Sequence, residues 1–170
     1  MKISYLILPI FFLSLTISGY NQTANDYLDR GNEAKQSNTK IFYYSKAIAL
    51  DPNFALAYLN RGVTKVELED YVGALADLNK AIEIKSQNDY SYVVALVNRG
   101  DVKMHLNDYQ GAISDYNKYL KIYPDGGDIL YKRAIAKLKI GLNDSACLDL
   151  RKAGDMGIEG TYELIKKYCQ

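Results

Sequence analysis

Charged residues of opposite sign recur in step along this chain. An arginine stands at positions 61, 99 and 133, and an aspartate follows each one at a constant offset. The pairs are Arg61 with Asp77, Arg99 with Asp115, and Arg133 with Asp149. A charge at a packing position needs an opposite charge nearby, so we interpret these residues as partly buried structural ion pairs that fix register. The alternative is that the arginine stems lie along the surface while the aspartates cap helices or face water.

Few residues could support catalysis. Cys147 and Cys169 are the two cysteines, and His105 is the single histidine. Three such residues do not complete a tetrahedral metal site, so we expect no metal and no cofactor. Neither cysteine has a base near it in the sequence, which predicts no nucleophile constellation. The sequence therefore predicts a protein that is not an enzyme.

The charged residues belong to a repeated segment. The segment Tyr58–Gly62 reappears as Leu96–Gly100 and, altered, as Leu130–Ala134. Behind each copy a second pattern recurs, at 74–81, 112–119 and 146–153. Small and bulky residues in these segments are spaced by three and four, which predicts amphipathic helices. A period of about 34 residues with two helices per unit is typical of a helical solenoid.

The repeats resemble those of the tetratricopeptide repeat family, whose unit is a helical hairpin. In the best-preserved unit, the residues that match the family pattern are Tyr58, Gly62, Ala74, Leu78 and Ala81. The resemblance implies an all-α, right-handed α-solenoid of about four antiparallel helix pairs with a C-terminal capping helix. We expect a degenerate first unit at 20–54, further units at 55–88, 93–126 and 127–160, and the capping helix at 161–170.

Two departures from the period require explanation. The interval from Gly31 to Gly62 is three residues shorter than the period. This difference predicts a shortened turn at Ser37–Thr39 in the first unit. Gly62 precedes Gly100 by four positions more than the period, with the extra residues around Asp89–Tyr92. These extra residues predict either a raised lip that carries two tyrosines or a longer loop or helix start, because loops absorb insertions at low cost.

The first helix of each unit lines a concave groove in this family, so the resemblance implies a protein or peptide ligand there. The positions that map to the groove are Leu59, Val63, Val66, Val97, Asp101, Met104, Tyr131, Ile135 and Leu138. Most are apolar, and an exposed apolar strip marks a partner site. Alternatively, several of them are covered by the following helix and belong to the core. Asn60 and Asn98 share this face and could bind a peptide backbone.

Some relatives bind the C-terminal carboxylate of a partner through lysine, asparagine and arginine on this face. Asn32 and Asn60 match two of those positions. Leu28, Val94 and Asn98 stand where basic residues are required. We therefore do not infer carboxylate recognition for this chain.

The two cysteines flank the last predicted turn. Ile158, at the centre of that turn, lies midway in the sequence between Cys147 and Cys169. Equal distances from the turn of an antiparallel hairpin place two residues side by side. We predict a disulfide that joins the capping helix to the array, and two reduced thiols are the alternative.

The N-terminus has the layout of a secretory signal peptide. Residues 3–17 are almost continuously apolar, Lys2 precedes them, and Ser18–Gly19 supplies small residues. A retained anchor is the alternative, although the run is short for a membrane span and contains Pro9. We expect residues 1–19 to be removed and the mature chain, without a membrane span, to be exported to the periplasm or the cell exterior.

Composition narrows the class of partner. The chain has 21 basic and 20 acidic residues, so its charge does not indicate nucleic acid binding. Its residues are 48% hydrophobic, which favours a folded chain. We expect an exported, non-catalytic scaffold that binds a protein or peptide. The alternative is a structural module that forms a homodimer through the same apolar strip.

Overall fold

The computed structural model describes residues 22–84 and 90–169, which form nine α-helices and no strand. The helices are α1 (Ala24–Glu33), α2 (Ser37–Leu50), α3 (Ala55–Glu67), α4 (Tyr71–Ile84), α5 (Tyr90–His105), α6 (Tyr109–Ile122), α7 (Gly127–Lys139), α8 (Asn143–Asp155) and α9 (Thr161–Tyr168). The predicted signal peptide and the predicted end of the second unit, 85–88, lie outside the described residues.

The first eight helices pair as antiparallel hairpins stacked in sequence order. Each helix packs against its neighbours in the sequence, and α3 also contacts α5. The buried residues accordingly form separate clusters, each shared by one hairpin and the helix that follows it. This arrangement is a right-handed α-solenoid with α9 as its cap, and it confirms the predicted fold class.

The turn inside each hairpin has three residues. In the second and third units, an aspartate before the second helix accepts a backbone N–H: Asp70 Oδ1 accepts from Gly73 N and Asp108 Oδ1 accepts from Gly111 N, both at 2.9 Å. This bond satisfies a donor that the helix leaves unpaired. The middle residue of the turn has positive φ in the last three units, at Glu69, Asn107 and Gly141.

The prediction of a shortened turn in the first unit is wrong. Ser37–Thr39 belong to α2, and the turn before them occupies residues 34–36, the usual three. The deficit lies instead in α1, which ends two residues after Gly31, whereas α3 continues for five residues after Gly62. An antiparallel reversal needs those three residues, so the first helix is shortened and the turn keeps its length.

The extra residues before the third unit lengthen a helix. Helix α5 begins ten residues before Gly100, whereas α3 begins seven residues before Gly62. Of the two tyrosines predicted for a raised lip, Tyr90 is 76% exposed but Tyr92 is 8% exposed and packs in the core. The extension therefore presents a single tyrosine, and Asp89 lies outside the described residues.

Two glycines allow a tyrosine of the paired helix to approach closely. Tyr116 is fully buried, and a Cβ added at Gly100 would lie 2.5 Å from its ring atom Cε1. Gly31 and Tyr44 have the same relation in the first unit. In the fourth unit the tyrosine is replaced by a leucine, Leu150, and the glycine by an alanine. In the second unit Leu78 faces Gly62, where an added Cβ would lie 3.1 Å from Leu78 Cγ, so a leucine on the second helix relaxes the contact without removing it.

We expect Gly100→Ala to lower the free energy of unfolding by about 1–3 kcal/mol, because the buried Tyr116 ring cannot move away. This loss exceeds the gain of about 1 kcal/mol that alanine brings to a helix. In a Tyr116→Leu background the added methyl should be accepted, as it is at Ala134 against Leu150. Urea unfolding of the four chains measures this coupling, and an equal cost of Gly100→Ala in both backgrounds would contradict the explanation.

Candidate partner-binding groove and its supporting ladder

The structure brings together all three predicted ion pairs. The distance between the arginine Nη2 and the aspartate Oδ1 is 2.6 Å for Arg61 with Asp77, 2.5 Å for Arg99 with Asp115, and 2.6 Å for Arg133 with Asp149. In each pair the arginine Nε also donates to the other carboxylate oxygen, so the contact is bidentate. The aspartates are buried and the arginines are partly exposed. The geometry matches the ion-pair interpretation and not the surface alternative.

A lysine that the sequence analysis missed joins each pair. Lys65, Lys103 and Lys137 place Nζ at 2.7, 2.8 and 2.7 Å from Oδ2 of the three aspartates. Each lysine follows its arginine by four residues, which puts both on one face of the first helix. The recurrence of a lysine four residues after each arginine is visible in the sequence and could have predicted this third member of the cluster. One carboxylate therefore pairs with two cations in each of these units, and each triad keeps a net positive charge.

The arginines also connect successive units. Through Nη1 they donate to residues on the second helix of the preceding unit: to Ser45 Oγ at 3.0 Å, to Asn79 Oδ1 at 2.8 Å and to Asn117 Oδ1 at 2.7 Å. We name these arginines, lysines, aspartates and their acceptors the polar ladder. Because each arginine links two helices of its own unit to the unit before it, the ladder sets the register between hairpins. Arg30, which precedes the ladder, lies 6.0 Å over the ring of Tyr27.

The two cysteines form the predicted disulfide between α8 and α9, with their Cα atoms 5.6 Å apart. Close to it, Leu164 and Ile165 of α9 pack on the buried Ala146 and Leu150. Thr161 is the buried residue of α9. The capping helix is thus held by a small apolar contact at its centre and by a covalent bond beside its C-terminus.

A cavity of about 410 Å³ opens on the face formed by α3, α5 and α7. Five of the predicted groove residues line it: Val66, Asn98, Asp101, Met104 and Ile135. The other lining residues are His105, Tyr116 and Lys132. Lys132 occupies the same position in its unit as Asn60 and Asn98. The alignment of the repeats could therefore have predicted that Lys132 lines the groove.

A second cavity, of about 250 Å³, lies one unit earlier on the same face. It is lined by the predicted residues Leu59, Asn60 and Val63, and by Lys40, Tyr44, Leu56, Thr64, Glu67, Tyr90 and Val94. We name the two together the groove, and distinguish them as the α3/α5/α7 cavity and the α2/α3/α5 cavity. The insertion before the third unit contributes Tyr90 to this wall.

Some predicted groove residues are buried in the core or pack against it. Leu59 is 2% exposed and belongs to the cluster between the second and third units, although it borders a cavity. Val97, Tyr131 and Leu138 line neither cavity and pack against buried clusters. Leu59, Val97 and Tyr131 hold one register position, which faces the element that follows. Leu138 holds the register position of Val66 and Met104 but packs against the cluster formed with α8 and the capping helix. For these four residues the structure matches the alternative interpretation, in which they pack in or against the core.

A polar network crosses each end of the groove. In the first, Tyr44 Oη and Asn60 Nδ2 both donate to Asn32 Oδ1 at 3.0 Å. In the second, Tyr116 Oη donates to Asp101 Oδ1 at 2.7 Å and Lys132 Nζ donates to Asp101 Oδ2 at 2.6 Å. The corresponding residues between them, Val63 and Leu78, are apolar. The groove therefore has an apolar middle between two polar networks, one built of amide and phenol groups and the other containing an ion pair.

Burial keeps both tyrosine hydroxyls protonated. Burial raises the pKa of Tyr116 far above its usual value, and the nearby carboxylates of Asp101 and Asp115 raise it further. The pKa of Tyr44 is also raised, mainly by burial. Both phenols thus act as hydrogen-bond donors and hold the Asn32 and Asp101 side chains in place.

Within residues 22–84 and 90–169, no helix has the length and apolarity needed to cross a bilayer. The same residues contain no cluster of three or more histidine, cysteine, aspartate or glutamate side chains that could bind a metal ion.

Comparison with known proteins identifies the repeats. The sequence profile of the tetratricopeptide repeat matches residues 55–88 and 93–125. The chain is 41% identical over 61 residues to serine/threonine-protein phosphatase 5 of Homo sapiens, a match that covers 36% of this chain and 11% of that protein. It is 33% identical over 75 residues to the STIP1 homolog of Dictyostelium discoideum, covering 42% of this chain and 13% of that protein. The chain therefore spans only a small part of these relatives.

Solved structures share the fold at low sequence identity. The crystal structure of MamA aligns with a TM-score of 0.71 and 24% identity, over 85% of this chain and 76% of that chain. The first repeat domain of Spaghetti (RPAP3), bound to the HSP90 peptide SRMEEVD, aligns with a TM-score of 0.64 and 21% identity, over 70% of this chain and 96% of that chain. These likenesses concern the fold.

Proposed function

Since the chain is a tetratricopeptide repeat protein, we propose that it is a non-catalytic adaptor that binds a protein or peptide along the groove. The observation that carries this proposal is the pair of cavities on one face, which follow each other from α2 to α7. Concave sites with apolar walls and a few fixed polar groups are the usual form of a ligand site. A solenoid presents such a surface without a reaction centre.

The groove offers two kinds of contact. Val63, Val66 and Ile135 are half-buried and supply apolar walls. Asn98 donates through Nδ2 to Val94 O, which leaves its amide oxygen as an acceptor for a peptide N–H. Apolar contacts would then supply affinity, and the amide would fix the orientation of an extended ligand.

We further propose that the chain is exported. The apolar run at residues 3–17 and the small residues after it support a cleaved signal peptide. The disulfide between α8 and α9 also supports an oxidising compartment, because such bonds persist mainly in exported proteins. The periplasm and the cell exterior both meet this condition.

Crosslinking capture of the native chain from its own envelope fraction tests the proposal. Wild type should recover a partner, and Val63→Asp should recover about tenfold less, because a charge removes apolar contact and must be desolvated. Because Val63 packs against a buried cluster and lacks the tyrosine and lysine that bind Asp101 in the third unit, circular dichroism must first show that Val63→Asp keeps the wild-type fold. Val72→Asp is the matched control, since Val72 lies on α4 and is 74% exposed.

The protein purified for this capture also tests export and self-association. Intact mass should show loss of residues up to about Gly19, and an intact Met1 would contradict export. Sedimentation separates an adaptor from a self-associating module. A homodimer that dissociates in Val63→Asp, with no other protein captured, would replace the adaptor proposal.

A further inference from the structure

The charged residues that line the groove are already paired with one another. In the α3/α5/α7 cavity, Lys132 Nζ lies 2.6 Å from Asp101 Oδ2. In the α2/α3/α5 cavity, Lys40 Nζ lies 3.7 Å from Glu67 Oε1, and Ser37 donates to Glu67 Oε2 at 3.0 Å. The lining of each cavity, apart from the imidazole of His105, therefore carries one cation and one anion that offset each other.

The polar networks hold these groups in place. Both oxygens of Asp101 accept a hydrogen bond, one from Tyr116 and one from Lys132. An acidic ligand would have to share Lys132 with Asp101 and would lie close to that carboxylate, which repels it. The imidazole of His105 is stacked on Tyr71 with ring centroids 4.6 Å apart, so one of its faces is covered. The groove thus gains little from a ligand that brings a net charge.

The middle of the groove is apolar, and the distance between its two cavities fixes the spacing of the ligand side chains that can fill them. Val63 and Val94 line the α2/α3/α5 cavity, while Val66, Met104 and Ile135 line the α3/α5/α7 cavity. The cavities are one unit apart, and packed helices are about 8–10 Å apart. A chain in the extended polyproline II conformation advances about 3.1 Å per residue with three residues per turn, so side chains three residues apart point the same way and can reach both cavities.

We infer that the groove takes an internal, extended, uncharged segment of its partner, with two bulky apolar side chains three residues apart. This inference rests on the proposed function and specifies the chemistry of the ligand. It disfavours a C-terminal carboxylate as the recognised group, because the lysine in each cavity already has a carboxylate beside it, Asp101 for Lys132 and Glu67 for Lys40. Asn98, between the cavities, would accept a hydrogen bond from the backbone linking the two side chains.

A random dodecapeptide library displayed on phage tests the inference with the oxidised mature chain as bait. Selected peptides should share two apolar residues three apart and contain few charged residues. The strongest peptide, made with blocked termini, should bind wild type at least about tenfold more tightly than a version with one anchor changed to serine, since burying one such side chain contributes about 1.5–3 kcal/mol. Its dissociation constant should change less than about twofold between about 50 and 500 mM NaCl.

The peptide SRMEEVD with a free carboxylate is the charged comparison, and it should bind wild type at least about tenfold more weakly than the selected peptide. Asp101→Asn leaves Lys132 without its counter-charge and should improve binding of this acidic peptide. Asparagine occupies the same register position at Asn32, so the fold accepts it. Selection of acidic peptides, tighter binding of SRMEEVD, or no gain in Asp101→Asn would overturn the inference.

The outcomes separate this inference from the proposed function. If the library yields nothing while a cellular partner is captured by wild type and lost in Val63→Asp, the groove binds a folded surface and the linear-segment inference is wrong. If neither peptide nor partner depends on Val63, the proposed function fails as well.

Discussion

Replacement of Asp115 by asparagine is expected to lower the free energy of unfolding by about 3–5 kcal/mol, the largest effect of any single change proposed for this protein. Asp115 is 1% exposed and accepts hydrogen bonds from Arg99 and Lys103. An amide at this place would leave two partly buried cations without a counter-charge, and its NH₂ group would face donors. Urea unfolding followed by circular dichroism measures the loss.

Asp125→Asn is the matched control for this change. Asp125 also pairs with a lysine, Lys152, at 3.2 Å, but its side chain is 82% exposed. An exposed pair of this kind contributes about 0–1 kcal/mol, so the control should unfold nearly as wild type does. If Asp115→Asn were equally mild, the polar ladder would be an arrangement of surface charges with no part in register.

The polar ladder shows which contacts can be predicted from the spacing of repeated residues and which cannot. The recurrence of Arg99 and Asp115 in step with the other units predicted the pairs, because a packing position in a repeat must solve the same physical problem each time. The link from Arg99 to Asn79 crosses between units, and its distance depends on how one hairpin sits on the next. Sequence spacing within one unit does not contain that angle, so this contact emerged only from the structure.

The groove was harder to predict because one residue on a helix turns its direction by about 100°. Leu59 and Asn60 are neighbours, yet Leu59 packs into the core and Asn60 reaches the first polar network. A strip read from spacing alone includes residues on both sides of this boundary. The orientation of the element that follows decides where the boundary falls: the next hairpin covers Val97, and α8 with the capping helix covers Tyr131 and Leu138.

The ladder and the groove depend on adjacent residues of the same helices. Asn98 borders the groove, and the next residue, Arg99, belongs to the ladder. The ladder fixes the position of α5 relative to α4 and α6, and thereby the width of the α3/α5/α7 cavity. Rigid placement of the lining reduces the ordering cost of binding, because a preformed site needs less rearrangement.

Removal of the disulfide is expected to release the capping helix and to lower the free energy of unfolding by about 3 kcal/mol, the chain-entropy value for a loop closed between Cys147 and Cys169, which are 22 residues apart. Helix α9 has eight residues, too few to remain helical alone. Its remaining attachment is the apolar contact of Leu164 and Ile165, together with the buried Thr161 beside Gly154 of α8. Loss of that contact would uncover Leu138 and Tyr131 at the end of the array.

Hydrogen exchange of the Cys147→Ser/Cys169→Ser chain measures this release directly. Backbone amides of α9 should exchange about 100-fold faster than in the oxidised wild type, which corresponds to the expected loss of about 3 kcal/mol. Wild type treated with reductant should behave in the same way, whereas amides of α1 and α3 should change little, since each unit of a solenoid contacts only its neighbours. Unchanged protection of α9 in both reduced forms would mean that the apolar contact alone holds the cap.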